Sequence, residues 1–158
     1  MFTYQTVENA LARANKVPES GIGAFRGKIK HFRRLGMVPE SPGKGKKISY
    51  ERETVYGWAI CLELAQFGID PTVIRDMLWR LDSGKFLKAL IQKTITSTKE
   101  SYFVFNPPFG GEGMISPIIH SLDELKRPEL SVLMTRMGLI NLSHVLLEVE
   151  KALEEVAK

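Results

Sequence analysis

A segment that a helix cannot cross divides the first half of the chain. Gly36 is followed by the stretch MVPESPGKGKKISY, whose prolines and glycines are Pro39, Pro42, Gly43 and Gly45. Proline removes a backbone N–H donor and clashes with the preceding helical turn, and glycine lowers helix stability. Short flanks around a glycine- and lysine-rich tip predict a small β-hairpin instead. The helices of this half must therefore lie on either side of the hairpin.

Apolar residues recur at helical spacing on both sides of this segment, and further helical and strand-like runs follow it. We expect one helix that starts near Thr6 and five more that cover residues 24–35, 52–67, 71–81, 85–94 and 142–156. The strand-like runs are Ser101–Phe105, Met114–His120 and Leu130–Asn141. Gly36 is expected to end one helix in the left-handed conformation, and Gly68 is expected to end another. Asp70 is placed to cap the helix that Pro71 begins.

The net charge is concentrated in one block of the sequence. The chain has 22 basic and 18 acidic residues and a formal net charge of +4. Residues 21–50 hold eight basic side chains against Glu40 alone, whereas residues 51–158 hold 12 basic and 15 acidic ones. A concentrated basic block on a slightly acidic body is expected of a protein that binds nucleic acid or another polyanion. A solvated basic face is the alternative.

The basic block divides into a helix face and a hairpin tip. Phe25, Ile29 and Phe32 recur at i, i+4 and i+7 and predict the buried side of the helix over 24–35. The major groove of DNA is about 12 Å wide and admits one helix, and a lysine-rich tip suits the neighbouring backbone. The candidate DNA-binding residues are Arg26, Lys28, Lys30, His31, Arg33 and Arg34 on the helix and Lys44, Lys46 and Lys47 on the tip.

Three of these assignments leave an alternative open. Lys28 lies away from the other basic side chains of the helix, so it is expected at a flank or a phosphate rather than at a base. His31 either packs as an aromatic residue would or contacts DNA. The lysine tip either clamps phosphates or is an ordinary loop.

The segment Lys28–Pro39, KIKHFRRLGMVP, resembles the signature with which MerR-type winged helix-turn-helix regulators end their recognition helix and enter the wing. The stretch Leu64–Leu78, LAQFGIDPTVIRDML, is similar to the helix–glycine–helix pair of that family. The resemblance covers about residues 5–81 and implies that the N-terminal half binds DNA. It implies no metal, redox or drug-sensing role. The chain departs from the family in the longer turn Pro18–Gly23 and in Glu51, where Ser or Thr commonly caps the third helix.

We therefore expect an α+β fold with two domains. Residues 1–82 are expected to form a MerR-like winged helix-turn-helix, which is helical with a β-hairpin wing. Residues 83–158 are expected to form a small β-rich dimerisation or regulatory domain that ends in a helix. A single winged module contacts only a short half-site, and the final helix carries an apolar stripe, so we expect a homodimer through residues beyond about 100. The stripe could instead pack inside its own β-layer.

The leading functional hypothesis is a sequence-specific regulator of transcription, of bacterial type, that binds double-stranded DNA and has RNA polymerase as a further candidate partner. One alternative is an architectural or phage-related DNA-binding factor, of excisionase or packaging type, that bends or bridges DNA. Another is a protein–protein adaptor that reuses the winged-helix fold. A cytoplasmic, nucleoid-associated location is expected, because the sequence shows no signal-peptide pattern and no apolar run of about 20 residues.

The sequence predicts no enzyme, cofactor or metal site. It contains no nucleophile motif, phosphate loop or dinucleotide fingerprint. Cys61 is the single cysteine, which excludes a disulfide within the chain and a cysteine-based zinc cage. His120 and His144 lie far apart in apolar settings and are expected to be core or surface side chains.

Overall fold

The computed structural model describes residues 1–37, 49–79, 84–106, 114–115, 119–126 and 137–156. The elements in these ranges are α1 (Tyr4–Ala14), α2 (Ile22–Arg34), α3 (Arg52–Gln66), α4 (Pro71–Trp79), α5 (Lys85–Thr96), β1 (Tyr102–Asn106), β2 (Met114–Ile115), β3 (Gly138–Asn141) and α6 (Leu142–Val156). Short 3-10 turns cover Glu19–Gly21 and Leu122–Lys126. Helices with one small antiparallel sheet make this an α+β fold, as expected.

The first helix is fixed by a cap at each end. α1 begins at Tyr4 rather than at Thr6, because the Thr3 hydroxyl oxygen accepts a hydrogen bond from the Thr6 N–H at 3.1 Å. At the other end, the Val17 N–H donates to the Ala12 carbonyl at 2.9 Å, which closes the last turn and redirects the chain. The 3-10 turn Glu19–Gly21 then connects this end of α1 to α2.

The predicted buried face of α2 is confirmed. Phe25, Ile29 and Phe32 are all buried, and they anchor the helix to the core. Gly36 follows with a φ of 72°, the left-handed conformation expected of a glycine that ends a helix. The basic side chains of α2 are thereby left on the outside.

α3 lies in the middle of the core, and α4 follows it closely. Val55, Trp58 and Ile60 on α3 are buried on different sides of the helix. Gly68 lies just after the end of α3 with a φ of 77°, in the left-handed conformation. Asp70 caps α4, as predicted. The Asp70 carboxylate accepts a hydrogen bond from the Thr72 N–H at 2.8 Å.

The final helix packs against α1 and α3 of the same chain. Its bounds match the predicted range 142–156, and two ion pairs fasten it. Arg13 Nε lies 2.7 Å from the Glu155 carboxylate, and Arg52 Nη1 lies 3.2 Å from that of Glu150. The apolar stripe of α6 is covered within its own chain, so it no longer supports the expected homodimer, which stays a prediction. The buried members of the stripe are Leu142, Leu146, Val149, Ala152 and Leu153.

β1 is the central strand of a sheet with the order β2–β1–β3. It pairs antiparallel to both neighbours, and in the β1–β3 register Phe105 lies opposite Gly138. A side chain at position 138 would collide with the Phe105 ring, so this pairing requires glycine. Of the predicted strand-like runs, Ser101–Phe105 corresponds to β1, whereas Met114–His120 and Leu130–Asn141 lie partly outside the described residues, within which they contain β2 and β3.

One hydrophobic core contains buried side chains from both expected domains, from Val7 on α1 to Leu153 on α6. The boundary expected between residues 82 and 83 lies outside the described ranges, and the division into two domains stays a prediction. Within those ranges, no helix has both the length and the apolar character needed to cross a bilayer.

Candidate nucleic-acid interface

The outer side of α2 is the candidate interface. A helix has about 3.6 residues per turn, so positions 23, 27, 30 and 34 align on the side opposite its buried face. We call this stripe the outer ridge; its members are Gly23, Gly27, Lys30 and Arg34, and all are exposed. A Cβ atom built on either glycine would meet no heavy atom of the described residues within 4 Å. The ridge therefore combines two cations with helix backbone that is open to an approaching partner.

Three cations of α2 have no acidic partner in the described part of the chain. Lys28, Lys30 and Arg34 are exposed, and no carboxylate of those residues lies within 4.0 Å of their charged nitrogens. By contrast, several basic residues elsewhere, such as Arg13 and Arg52, are held in ion pairs. The positive charge of the ridge is available to an external anion.

Arg26 is occupied within the protein. Its Nε lies 2.5 Å from the carboxylate of Glu8 on α1, and the Glu8 side chain is only 6% exposed, whereas that of Arg26 is 46% exposed. A buried carboxylate needs a partner, because burial removes its hydration. The pair fastens α2 to α1, which gives Arg26 a positioning role that the sequence did not reveal.

Arg33 is oriented by aromatic rings. Its guanidinium carbon lies 6.0 Å from the centroid of the Tyr4 ring, at cation–π distance. Tyr4, Tyr50 and Trp58 form a cluster with ring centroids 5.4 to 6.4 Å apart. Burial raises the pKa of both tyrosines, and the nearby Arg33 charge partly opposes this rise. The aromatic contact limits the directions in which Arg33 can point.

His31 is exposed, so it does not pack in the core as an aromatic residue would. It lies close enough to Asp70 to help lower the pKa of that carboxyl. The larger causes of this lowering are the hydrogen bonds that the Thr72 hydroxyl and N–H donate. His31 thus borders the turn between α3 and α4, on the flank of the ridge.

The two ends of the predicted wing are anchored. Met37 and Tyr50, on either side of it, are buried. Phe2 and Tyr50 exchange two backbone hydrogen bonds of 2.9 and 2.8 Å in an antiparallel bridge, so the returning chain lies beside the start of α1. The predicted clamp residues Lys44, Lys46 and Lys47 lie outside the described residues, and their assignment stays a prediction.

Sequence reasoning missed the two glycines of the outer ridge and the partner of Arg26. Gly27 stands inside the predicted helix over 24–35, where glycine lowers helix stability by about 1 kcal/mol relative to alanine, and Gly23 directly precedes that helix. That cost was a signal in the sequence, since an isolated glycine within a helix often has a packing or functional reason. For Glu8, the signal was a charged residue directly after Val7 on the apolar side of α1.

The described residues contain no group of three or more His, Cys, Asp or Glu side chains that could hold a metal ion. Burial raises the pKa of the Cys61 thiol far above its ordinary value, which leaves it protonated and unreactive. His120 Nδ1 lies 3.3 Å from the Glu100 carbonyl oxygen and 3.4 Å from the Ser101 hydroxyl.

No protein-family model matches the chain, and no curated protein or solved structure matches it either.

Proposed function

We propose that this protein binds double-stranded DNA and regulates transcription in a sequence-specific manner, with α2 as its recognition helix. The observation that carries the proposal is the outer ridge of α2. There, cations with no carboxylate partner among the described residues, together with bare helix backbone, lie opposite a firmly buried face. A helix anchored in this way can present its outer side to a groove without leaving the core.

The dimensions of α2 suit the major groove. Its 13 residues span about 20 Å at about 1.5 Å per residue, roughly half a turn of duplex or more. Gly23 and Gly27 narrow the outer side of the first two turns, so the backbone there can approach DNA closely. Lys30 and Arg34 follow on the same ridge, within reach of base edges and phosphates.

The basic residues of α2 divide the work in this proposal. Arg34 and Arg33 have forked guanidinium groups that can hold guanine at two atoms, and the Tyr4 ring already orients Arg33. Lys28 and Lys30 supply charge to phosphates, and His31 borders the interface. Arg26 acts mainly by holding α2 against α1 through Glu8.

A salt titration with matched variants tests DNA binding. We compare the double substitution Lys30→Gln with Arg34→Gln, on the ridge, with Lys93→Gln and Lys99→Gln, two exposed lysines elsewhere. Both double variants lose the same net charge. Binding to a mixed-sequence duplex is followed by fluorescence anisotropy between about 50 and 200 mM salt.

The ridge variant should bind more weakly, and the slope of log affinity against log salt should fall by about 2, because each lost phosphate contact removes about 0.9. The control variant should keep the slope of the unsubstituted protein. Equal slopes for both double variants, or no binding by the unsubstituted protein, would overturn the proposal.

Selection from a random-sequence duplex library tests the regulatory part. Enrichment of one short motif supports sequence-specific regulation, and substitution of Arg33 or Arg34 should relax the preference at particular base pairs by about 1–3 kcal/mol. DNA binding without an enriched motif would replace the regulator by an architectural factor that reads DNA shape.

A further inference from the structure

A cavity of about 350 Å³ opens on a part of the molecule that the proposed DNA contact does not use. Its walls come from the end of α1, the C-terminal half of α3, β3 and the first turns of α6. Sites for small molecules typically measure about 300–1,000 Å³, so the cavity is at the small end of that range. It is large enough for a ligand of a few carbon atoms beyond its polar groups.

One wall of the cavity is apolar. Ala59, Ile140 and Val149 contribute to it, and the Phe67 ring stands at the wall with 49% of the residue exposed. The Phe67 ring is held edge-on against Phe105, with ring centroids 5.0 Å apart. A large aromatic residue that is fixed yet exposed offers a surface for an apolar group of a ligand.

The cavity also presents the carboxylate of Glu63 on α3. Glu63 is half-buried, and burial raises its pKa, while a hydrogen bond from Gln66 and the nearby His144 partly oppose the rise. Among the described residues, no lysine or arginine nitrogen lies within 4.0 Å of this carboxylate. An ammonium group in the cavity would supply the missing partner.

A lysine and a histidine line the same cavity, Lys16 and His144. Both side chains are exposed, and both lie near the Glu148 carboxylate, whose pKa is lowered chiefly by its ion pair with Lys151. The cavity therefore presents both signs of charge, with Glu63 on α3 and Lys16 just after α1.

Lys16 has an unfavourable backbone conformation. Its φ is 51°, in the left-handed region, at the position after a helix where glycine is usual. The Lys16 N–H donates to the Arg13 carbonyl at 2.9 Å, and this closing turn imposes the conformation. A residue other than glycine is strained in this conformation, and such strain is concentrated at functional sites.

We propose that this cavity binds a small zwitterion, an α-amino acid with an apolar side chain. The ammonium group pairs with Glu63, the carboxylate pairs with Lys16 beside His144, and the side chain packs on Phe67. A free anion would be opposed by two carboxylates, and a simple amine would leave Lys16 without a role. The proposal is independent of DNA binding, because none of these residues belongs to the outer ridge.

Isothermal titration calorimetry with matched ligands tests the ligand class. The probes are L-leucine and L-phenylalanine, together with an analogue of each that lacks the carboxylate (isoamylamine, phenethylamine) and one that lacks the amine (4-methylpentanoate, 3-phenylpropanoate). An amino acid should bind at least roughly tenfold more tightly than both of its analogues, since each charged contact contributes to affinity. Equal binding of the amine or the acid, or no binding of either amino acid, overturns the proposal.

Two variants test the assigned residues without relying on loss of the fold. Lys16→Gly removes the ammonium and relieves the left-handed strain, so it should raise the melting temperature while lowering amino-acid affinity roughly tenfold or more. Glu63→Gln should lower affinity to a similar extent, whereas the exposed control Glu154→Gln should not change it. Unchanged affinity in the Lys16→Gly protein would remove Lys16 from the site and overturn the zwitterion assignment.

Discussion

Gly27 and Gly36 provide a paired test of the local structure of α2. A Cβ atom at either position would meet no heavy atom within 4 Å in the part of the chain that the structure describes, so side-chain crowding there does not distinguish them. They differ in backbone conformation, because Gly27 lies inside the helix, whereas Gly36 follows it with a φ of 72°. Alanine at the two positions should therefore have opposite effects on the free energy of unfolding.

Gly27→Ala should stabilise the protein by about 0.5–1 kcal/mol. Alanine is the better helix former, and it also reduces the conformational freedom of the unfolded chain. For a chain of this size, that gain raises the melting temperature by roughly 1–4 °C. Gly36→Ala should instead destabilise by about 1 kcal/mol, because an L-residue in the left-handed region brings its Cβ close to the backbone.

Thermal and urea unfolding followed by circular dichroism at both substitutions measures the difference. A stability gain at position 27 with a loss at position 36 supports α2 and its left-handed end. If Gly27→Ala lowered the stability, the outer ridge would be covered by other parts of the chain rather than open. If Gly36→Ala raised it, the helix would end differently and Met37 would leave the core in another direction.

Three further predictions concern the pairing of β1 with β3, the Arg26–Glu8 ion pair and the cap that Asp70 forms. Gly138→Ala should be strongly destabilising in urea unfolding, because a Cβ at position 138 would collide with the Phe105 ring. A neutral effect would contradict the strand register. Arg26→Ala should lower the free energy of unfolding by about 1–3 kcal/mol, since it leaves the Glu8 carboxylate buried without Arg26. Glu8→Gln should lower it less, because the half-exposed Arg26 stays hydrated, and equal losses in the two variants would contradict this difference. By NMR, the pKa of the Asp70 carboxyl should lie below its ordinary value, so the stability that this cap contributes should be present above the unfolded pKa and lost as pH falls through the folded pKa. Asp70→Asn, which can still cap, should remove that loss of stability in acid, and an unchanged pH profile in this variant would contradict the prediction.

The helices were predictable where local chemistry determined both the face and the end. Phe25, Ile29 and Phe32 specify the inner side of α2, and Gly36 specifies its end, without reference to the rest of the chain. Asp70 with its neighbouring proline defines the start of α4 in the same way. In these cases propensity, periodicity and capping all favour one structure.

The partners of the buried faces were not predictable, because they depend on distant parts of the chain. The apolar stripe of α6 shows that the helix has a buried side, but a stripe of this kind fits a second copy as well as its own chain. Packing on α1 decided between them. Likewise, Glu8 and Arg26 are 18 residues apart, and local sequence does not specify which of several cations a buried carboxylate receives.

The strand pairing and the cavity were not predictable, because both depend on the tertiary fold. β-branched and aromatic runs indicate strands, but they do not specify which strand pairs with β1. The cavity needs the ends of α1 and α3 beside β3 and α6, which only the tertiary fold brings together. The left-handed conformation of Lys16 gave no sequence signal, because that position is commonly a glycine.

A charge substitution on the outer ridge tests the central claim, that α2 faces DNA, most directly. Gly27→Glu and Gly27→Gln introduce side chains of the same length, at a position where a new Cβ meets no heavy atom of the described residues within 4 Å. The two variants should therefore unfold at similar temperatures. If the ridge faces phosphates, the Glu variant should bind a mixed-sequence duplex several-fold more weakly than the Gln variant at about 50 mM salt, and added salt should narrow the difference. Equal affinities of these two variants at low salt would contradict the placement of DNA on α2.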